Sequence, residues 1–295
     1  MPRQVLVIGE ALVDEFHDGP VAGGAPFNVA RSLAALGAPV RFVSRIGAGD
    51  AAGRVVEASA ARFGLDPQGL QRDAQRATGR VTVHEDAAGH RFEIHADAAW
   101  DHLDAADPGD AGLVYFGTLA QRHAVSRAAV RATVKRAHGV KLLDLNLRPG
   151  TDTPELAAES LMLADWVKLN EDELARLLAW FEPDLSALMA RFGLRRLVLT
   201  RGAAGYALHG MGGELLAQGQ GAAQPALVDS VGAGDAFTAL LLAGLALGCE
   251  LGATLELANR YAAMICGVRG PLPADPVKLS PWREALHALP PGGPT

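Results

Sequence analysis

The chain has 295 residues, 49% of them hydrophobic, enough for one large α/β domain with a sizeable core. Its 27 basic and 33 acidic residues leave a mild net charge of -6, and no Lys/Arg run or basic stripe suggests nucleic acid. Cys249 and Cys266 lack metal-site or redox spacing, which argues against a structural zinc and a disulfide framework.

The opening stretch, "MPRQVLVIGEALVDEF", carries acidic residues where a secretory signal needs an uninterrupted apolar run. Residues 4–10 are apolar and β-rich and end near a glycine, which predicts a buried strand. A helix over 27–37 stops at a glycine, a strand follows at 40–47, and a helix over 50–64 starts with Asp50 as N-cap. Residues 80–97 alternate apolar and polar on either side of "EDAAGH", the pattern of an exposed hairpin with one face covered.

Beyond the hairpin, strands at 112–117, 140–146, 166–170 and 195–202 alternate with helices at 123–138, 154–164, 171–179 and 184–192. Two long helices follow, at 233–247 and 251–267. Such alternation implies a mainly parallel sheet covered on both faces, with ligands at the carboxyl ends of its strands. The longest apolar run, 236–249, falls short of the ~20 residues a membrane span requires and reads as a core helix. The expectation is a soluble, cytoplasmic protein without membrane or nucleic-acid partners, ending in a frayed "PPGGPT" tail at 290–295.

The tetrapeptide Gly-Ala-Gly-Asp occurs at 47–50 and again at 232–235. Neither copy is a dinucleotide fingerprint, since Ala52 and Phe237 stand where the third glycine belongs, and no P-loop pattern exists. The first copy follows an ordinary strand and precedes an ordinary amphipathic helix, so a tight turn and a cap suffice there. The second opens a long apolar helix. There the backbone N–H groups of Gly232, Ala233 and Gly234, aided by the helix dipole, can form an anion hole for a phosphoryl group. Asp235 at its rim reads equally well as a helix cap or as a base that accepts a hydroxyl proton.

Taken together, "GGAPFNVARSLAALGAPVRFVSRIG" at 23–47 and "DSVGAGDAF" at 229–237 resemble the two signatures of the PfkB (ribokinase-like) carbohydrate kinases. The resemblance spans nearly the whole chain; Leu240 departs from it, standing where the family prefers a small residue. It implies a ribokinase-like three-layer α/β/α sandwich with a mainly parallel central sheet and a small β lid. One kinase domain would span 1–295, with the lid built from about 11–20 and 80–97.

The resemblance also implies roles for particular residues. Asp235 becomes the catalytic base, and Gly232, Ala233 and Gly234 the hole that holds the migrating phosphoryl. "LNEDE" supplies Asn170 and Glu173 as organisers of ATP-bound Mg²⁺ and its waters, the alternative being an N-cap followed by solvent-facing acids. "TRGAAG" supplies Thr200, Gly202 and Gly205 near the nucleotide, and Asn259 is a candidate for the adenine pocket or a polar residue of a packed helix. Asp14, Gly24, Asn28 and Arg148 are implied sugar contacts, though Arg148 also fits a surface salt bridge. K⁺ is implied near Asp229 and "GVRGP". Val81, Val83, Phe92 and Ile94 offer contact faces for a homodimer through the lid.

Within the family, "GEALVD" followed by "GGAPFNVA" most resembles the fructokinases. A 2-keto-3-deoxygluconate kinase is the runner-up, with Arg148, Arg91 or His95 to meet the sugar acid's carboxylate, and ribokinase or nucleoside kinase readings stand behind it. A non-catalytic sugar-binding sensor is the competing class; a degenerate sensor is expected to lose the base or its glycines, and both are present.

Overall fold

The run Val5-Leu6-Val7-Ile8 is fully buried, and its side chains divide strictly between two cores: Val5 and Val7 join one, Leu6 and Ile8 the other. The same division holds for Leu113 and Tyr115 against Val114 and Phe116, and for Leu142 against Leu143. A strand that buries both faces needs helices above and below, which is why these runs read as continuously apolar. The computed structural model describes residues 2–17, 19–86, 89–148, 150–222 and 227–293, with 83–86 and 89–92 described by backbone alone.

Strands β1 (Val5–Ile8), β2 (Leu12–Phe16) and β3 (Gly19–Gly23) lead into helix α1 (Ala25–Ala35). Next come β4 (Val40–Gly47), α2 (Ala51–Arg62), β5 (Leu70–Asp73) and the hairpin of β6 (Gly79–Asp86) and β7 (Gly89–Ile94). The alternating stretch comprises β8 (Leu113–Gly117), α3 (Ala124–Arg136), β9 (Val140–Asp144), α4 (Pro154–Leu161) and β10 (Trp166–Asn170). It continues through α5 (Glu171–Trp180), α6 (Leu185–Phe192) and β11 (Arg196–Thr200). After β12 (Tyr206–His209) and β13 (Leu215–Gly219), helices α7 (Ala233–Leu247), α8 (Leu251–Ile265) and α9 (Ser280–His287) close the chain.

The large sheet runs β13-β12-β11-β10-β9-β8-β1-β4-β5. It is parallel from β11 to β5, with an antiparallel hairpin at the β13 edge. Helices α1, α2, α7, α8 and α9 pack on one face, and α3, α4, α5 and α6 on the other. This is the three-layer α/β/α architecture expected. A separate sheet, β3-β2-β6-β7, forms the small lid, with β2 and β6 paired in parallel. No described helix is long and apolar enough to cross a membrane.

Helix α7 is buried from Ala236 through Ala246, ends at the left-handed Gly248 (φ 75°), and has its first turn and Leu247 partly open. Leu240, the departure from the family pattern, is fully enclosed. Close approach to α8 is set at Gly244, where a Cβ would lie 2.3 Å from Thr254 Cγ2.

Three features differ from expectation. Strands β5, β12 and β13 and helix α9 are additional; β12 and β13 are short, and glycines around their turn blur any alternation. The tail expected to fray from 290 is anchored first: Pro290 O accepts the Glu250 amide at 2.8 Å, and Gly292 N donates to Gly248 O at 2.8 Å. Val81 is buried and Ile94 packs on the core within the single chain, while the side chains of Val83 and Phe92 lie outside the described residues.

The first Gly-Ala-Gly-Asp is structural. Asp50 caps α2, accepting from Gly53 N at 2.5 Å, Thr78 N at 2.7 Å and Thr78 Oγ1 at 2.8 Å. A Cβ on Gly47 would lie 2.1 Å from that carboxylate, so only glycine fits there. Replacing Asp50 with Ala is expected to destabilise the fold by about 1–2 kcal/mol, the usual worth of a lost N-cap. Urea denaturation measures this loss, and turnover of the folded variant should be unchanged.

Candidate active site

The strands of the large sheet end along one edge, and their terminal residues carry the polar groups. Glu10 follows β1, Asp144 ends β9, Asn170 ends β10 and Thr200 ends β11. Helices α1 and α7 begin above this edge. Both start at a glycine with positive φ, Gly24 at 102° and Gly232 at 80°, and neither first turn has a side-chain cap. A Cβ at Gly24 would meet Glu10 O at 2.8 Å, and one at Gly232 would meet Pro271 Cα at 2.5 Å, so close backbone approach as well as φ requires glycine.

Asp235 lies in the first turn of α7 with part of its surface open. Asn28, on α1, donates Nδ2–H to Asp235 Oδ2 at 2.8 Å, joining positions 207 residues apart. Desolvation pushes the Asp235 carboxyl up to about 6, with Asn28 acting to lower it and Asp144 to raise it. Gly234 sits against Lys168, whose Nζ would be 3.3 Å from a Cβ there. Of the three anion-hole residues, Ala233 turns its N–H toward Ser230 O at 3.3 Å.

The implied sugar contacts gather at this point. The Asp14 carboxylate occupies the space a Cβ on Gly23 would need, and desolvation raises its pKa to about 6 against the pull of Arg31. Arg148 is exposed, and its charge lowers the pKa of both Glu10 and Asp235. Among the described residues it makes no ion pair; its Nη1 donates to Leu147 O at 3.2 Å. Asn146 before it holds a positive φ of 41°. His95, a possible partner for a sugar acid, bonds Thr82 Oγ1 at 2.8 Å, and the side chain of Arg91 lies outside the described residues.

On the nucleotide side, Asn170 and Thr200 are direct register partners. Asn170 and Glu173 form a capping box: Glu173 N donates to Asn170 Oδ1 at 2.9 Å, and Asn170 N to Glu173 Oε2 at 2.9 Å. Glu173 is buried rather than solvent-facing, its other oxygen takes Leu147 N–H at 2.8 Å, and desolvation raises its pKa. Gly202 and Gly205 have φ of 52° and 99°, and a Cβ at Gly205 would lie 2.0 Å from Gly219 O. Arg201 closes this turn by donating its amide to Gly205 O at 2.8 Å. Asn259 is buried and ties α8 to Gln220 O at 2.7 Å. Asp229 accepts from Val231 N at 2.9 Å and Gly270 N at 3.1 Å, bringing it beside the "GVRGP" segment.

Four buried charged residues at this edge were not singled out by sequence reading: Glu10, Arg31, Asp144 and Lys168. Lys168 Nζ lies 3.0 Å from both oxygens of Asp144, its register partner across β9 and β10. Desolvation opposes the Lys168 charge, yet Asp144 pushes the ammonium pKa up. Thr238 of α7 also donates to Asp144, at 3.1 Å, coupling the strand end to the helix. Glu10 is desolvated to a pKa of about 7, held back by its own amide, and its Oε2 is buried without a hydrogen bond. The available signal was a lone charge inside an apolar strand run, as in "VKLLD" and "WVKLN"; buried charges demand partners.

The sequence matches the family described as pfkB family carbohydrate kinase over residues 9–277. A fructokinase of Klebsiella pneumoniae is 32% identical over 308 residues, covering 94% of this chain and 98% of that protein. The crystal structure of fructokinase with bound ATP from Xylella fastidiosa superposes with a TM-score of 0.80 at 25% identity, covering 98% of this chain and 96% of the other. That of aminoimidazole riboside kinase from Salmonella enterica, complexed with aminoimidazole riboside and an ATP analog, gives 0.76 at 27%, covering 95% and 99%. With both signatures joined at the Asn28–Asp235 contact and the match running through most of its length, this chain belongs to the pfkB family of carbohydrate kinases.

Proposed function

We propose that this protein transfers the γ-phosphoryl group of ATP to a hydroxyl of fructose, with Asp235 as the base. The Asn28–Asp235 hydrogen bond carries this reading, because it puts a desolvated carboxylate, an uncapped helix N-terminus and the sugar-side Asp14 around one cleft. Fructose as the acceptor is supported by the fructokinase of Klebsiella pneumoniae, similar over nearly the full length of both chains.

In this mechanism the acceptor hydroxyl donates its hydrogen bond to Asp235. As its oxygen attacks the γ-phosphorus, the proton passes to the carboxylate and the bond to ADP breaks. Gly232, Ala233 and Gly234 would hold the phosphoryl oxygens, where charge builds in the transition state, with the Ala233 N–H exchanging its 3.3 Å bond to Ser230 O for the phosphoryl. Asp14 and Asn28 orient the sugar, and Thr200, Gly202 and Gly205 shape the nucleotide side, with Asn259 holding its floor. The lid sheet excludes water that would otherwise compete as acceptor.

Mg²⁺ fits as a partner of the nucleotide rather than as a resident ion, since the described residues contain no cluster of three ligating side chains. Glu173 and Asn170 would reach it through waters, their oxygens already accepting backbone N–H groups. The ion would neutralise phosphate charge. A K⁺ site near Asp229 would draw its ligands from backbone carbonyls, the Asp229 carboxylate being engaged by two amides. A kinase that spends ATP belongs in the cytoplasm. Pairing through the lid rests on the family resemblance, as Val81 and Ile94 are covered within one chain.

A sugar acid such as 2-keto-3-deoxygluconate is the second reading, favoured by the exposed Arg148 cation without an ion pair among the described residues. ADP release measured over fructose, 2-keto-3-deoxygluconate, ribose and nucleosides separates the two; release with none of them would return the chain to a binding role. Asp235→Asn is expected to lower turnover by about 10²–10⁴-fold while leaving ATP affinity nearly intact, as calorimetry would show. Substantial residual activity would remove Asp235 from the base role.

The pH dependence has a definite sign. Asp235 acts as carboxylate, so kcat/KM should hold above its raised pKa and decline as pH drops through about 6. An acid limb near 4, the range of an unperturbed Asp, would contradict this.

A further inference from the structure

An asparagine amide has an acceptor end and a donor end, and a half-turn exchanges them. Asn28 must present its donor to Asp235 for the contact to hold, and something must choose that orientation. Arg31, one turn along α1, makes the choice: its Nη2 donates to Asn28 Oδ1 at 2.5 Å. A guanidinium only donates, so the reversed amide would set N–H against N–H.

The guanidinium is itself fixed. Nη1 donates to Ser59 Oγ of α2 at 2.7 Å, Nη2 also reaches Ala22 O of β3 at 2.9 Å, and the group lies 4.4 Å from the Phe27 ring centroid. Arg31 is buried, its Nε has no hydrogen-bond partner among the described residues, and its charge faces Asp14 and Asp235. Both N–H groups of Nη2 are committed to protein acceptors and Nε is enclosed, so the donor that orients Asn28 is spent within the protein and its action on the reaction passes through that neighbour.

We propose that Arg31 is the positioning residue of this kinase, locking the Asn28 amide so that its donor end holds the Asp235 carboxylate in the reactive orientation. The relay runs from Ala22 of the lid and Ser59 of α2 through Arg31 and Asn28 to Asp235. It rests on the assignment of Asp235 as the base. The other charged or titratable groups facing Asp235 are Glu10 after β1, Tyr115 on β8, Asp144 on β9, Arg148 in the following loop and Lys168 on β10.

The test is the pH profile of kcat/KM for Arg31→Met and Arg31→Lys. In Arg31→Met both the cation and the lock on Asn28 are gone, so the acid limb should move up by about 1 unit or more. Turnover at its plateau should fall between about 10- and 100-fold through lost orientation. In Arg31→Lys an ammonium still donates to Asn28 Oδ1, and the limb should return most of the way to wild type.

A limb at the wild-type pH in Arg31→Met, whatever happens to its stability, overturns the relay and leaves Arg31 as packing. A limb displaced in Arg31→Lys as far as in Arg31→Met overturns it too. Should Arg31→Met not fold, Arg31→Gln, too short and uncharged, takes its place with the same expectation and the same refuting result. The base assignment fails separately: it falls if Asp235→Asn keeps turnover, whereas a dead Asp235→Asn with an unmoved limb in the Arg31 variants rejects the relay alone.

Discussion

The hydrogen bond from Asn28 to Asp235 depends on two helices starting in the same place. Helices α1 and α7 pack on one face of the sheet through apolar side chains such as Phe27, Phe237 and Leu241, and that packing brings their N-termini together. Each N-terminus is entered through a glycine whose positive φ turns the chain sharply and leaves the first turn uncapped by any side chain. The two helix dipoles therefore add favourable potential for anions where these N-termini meet. The carboxylate of Asp235 draws on that potential, as would the phosphates of a nucleotide under the proposed mechanism.

Such a cleft is expensive in folding terms. Glu10, Asp14 and Asp235 are all desolvated enough to raise their pKa values, and Arg31 is the buried cation that faces Asp14 and Asp235. One layer below, Lys168 and Asp144 neutralise each other, with Thr238 also bonded to the aspartate. Buried pairs of this kind seldom stabilise a fold beyond what apolar residues of the same volume would. The placement of Glu10, Asp144 and Lys168 along the carboxyl edge of the sheet is consistent with charges retained for chemistry while the apolar cores supply the stability.

Much of this was legible beforehand because period and punctuation agree. The apolar strand runs and the glycine stops located β1, β4, β8, β9, β10 and β11 and all the helices through α8 to within a few residues. The signatures singled out Asp235, Asn28 and Asp229 as candidates, and the "GEALVD" stretch Asp14, because their meaning lies in fixed local spacing. What stayed hidden depends on contacts distant in sequence. Lys168 and Asp144 became a pair only when β9 and β10 aligned in register. Nothing in the helix pattern over 27–37 marks Arg31; its role depends on α2 and β3, which close over it in the fold. Glu173 was expected beside solvent on the capping alternative, yet the loop after β9 folds onto it through Leu147.

The two copies of Gly-Ala-Gly-Asp show how little of a motif's chemistry resides in its letters. In the first, the left-handed turn falls on Gly49 (φ 76°), the helix begins at Ala51, and Asp50 becomes the N-cap. In the second, the turn falls on Gly232, the helix begins at Ala233, and Asp235 lies three residues inside. That displacement makes one carboxylate a structural acceptor of three hydrogen bonds and leaves the other, among the described residues, with one donor, Asn28. The electrostatics follow: desolvation acts on both, but donors from Thr78 and Gly53 hold Asp50 below its ordinary value, whereas Asp235 with Asn28 alone rises to about 6. A carboxylate with unspent acceptor capacity and a raised affinity for protons is suited to take one from a hydroxyl. What fixes the register is the contact of Gly232 with Pro271 in the second copy and of Gly47 with Asp50 and Thr78 in the first. Under the proposed mechanism, the catalytic role of one aspartate and the structural role of the other are therefore set by backbone fit at glycines, residues that carry no functional group of their own.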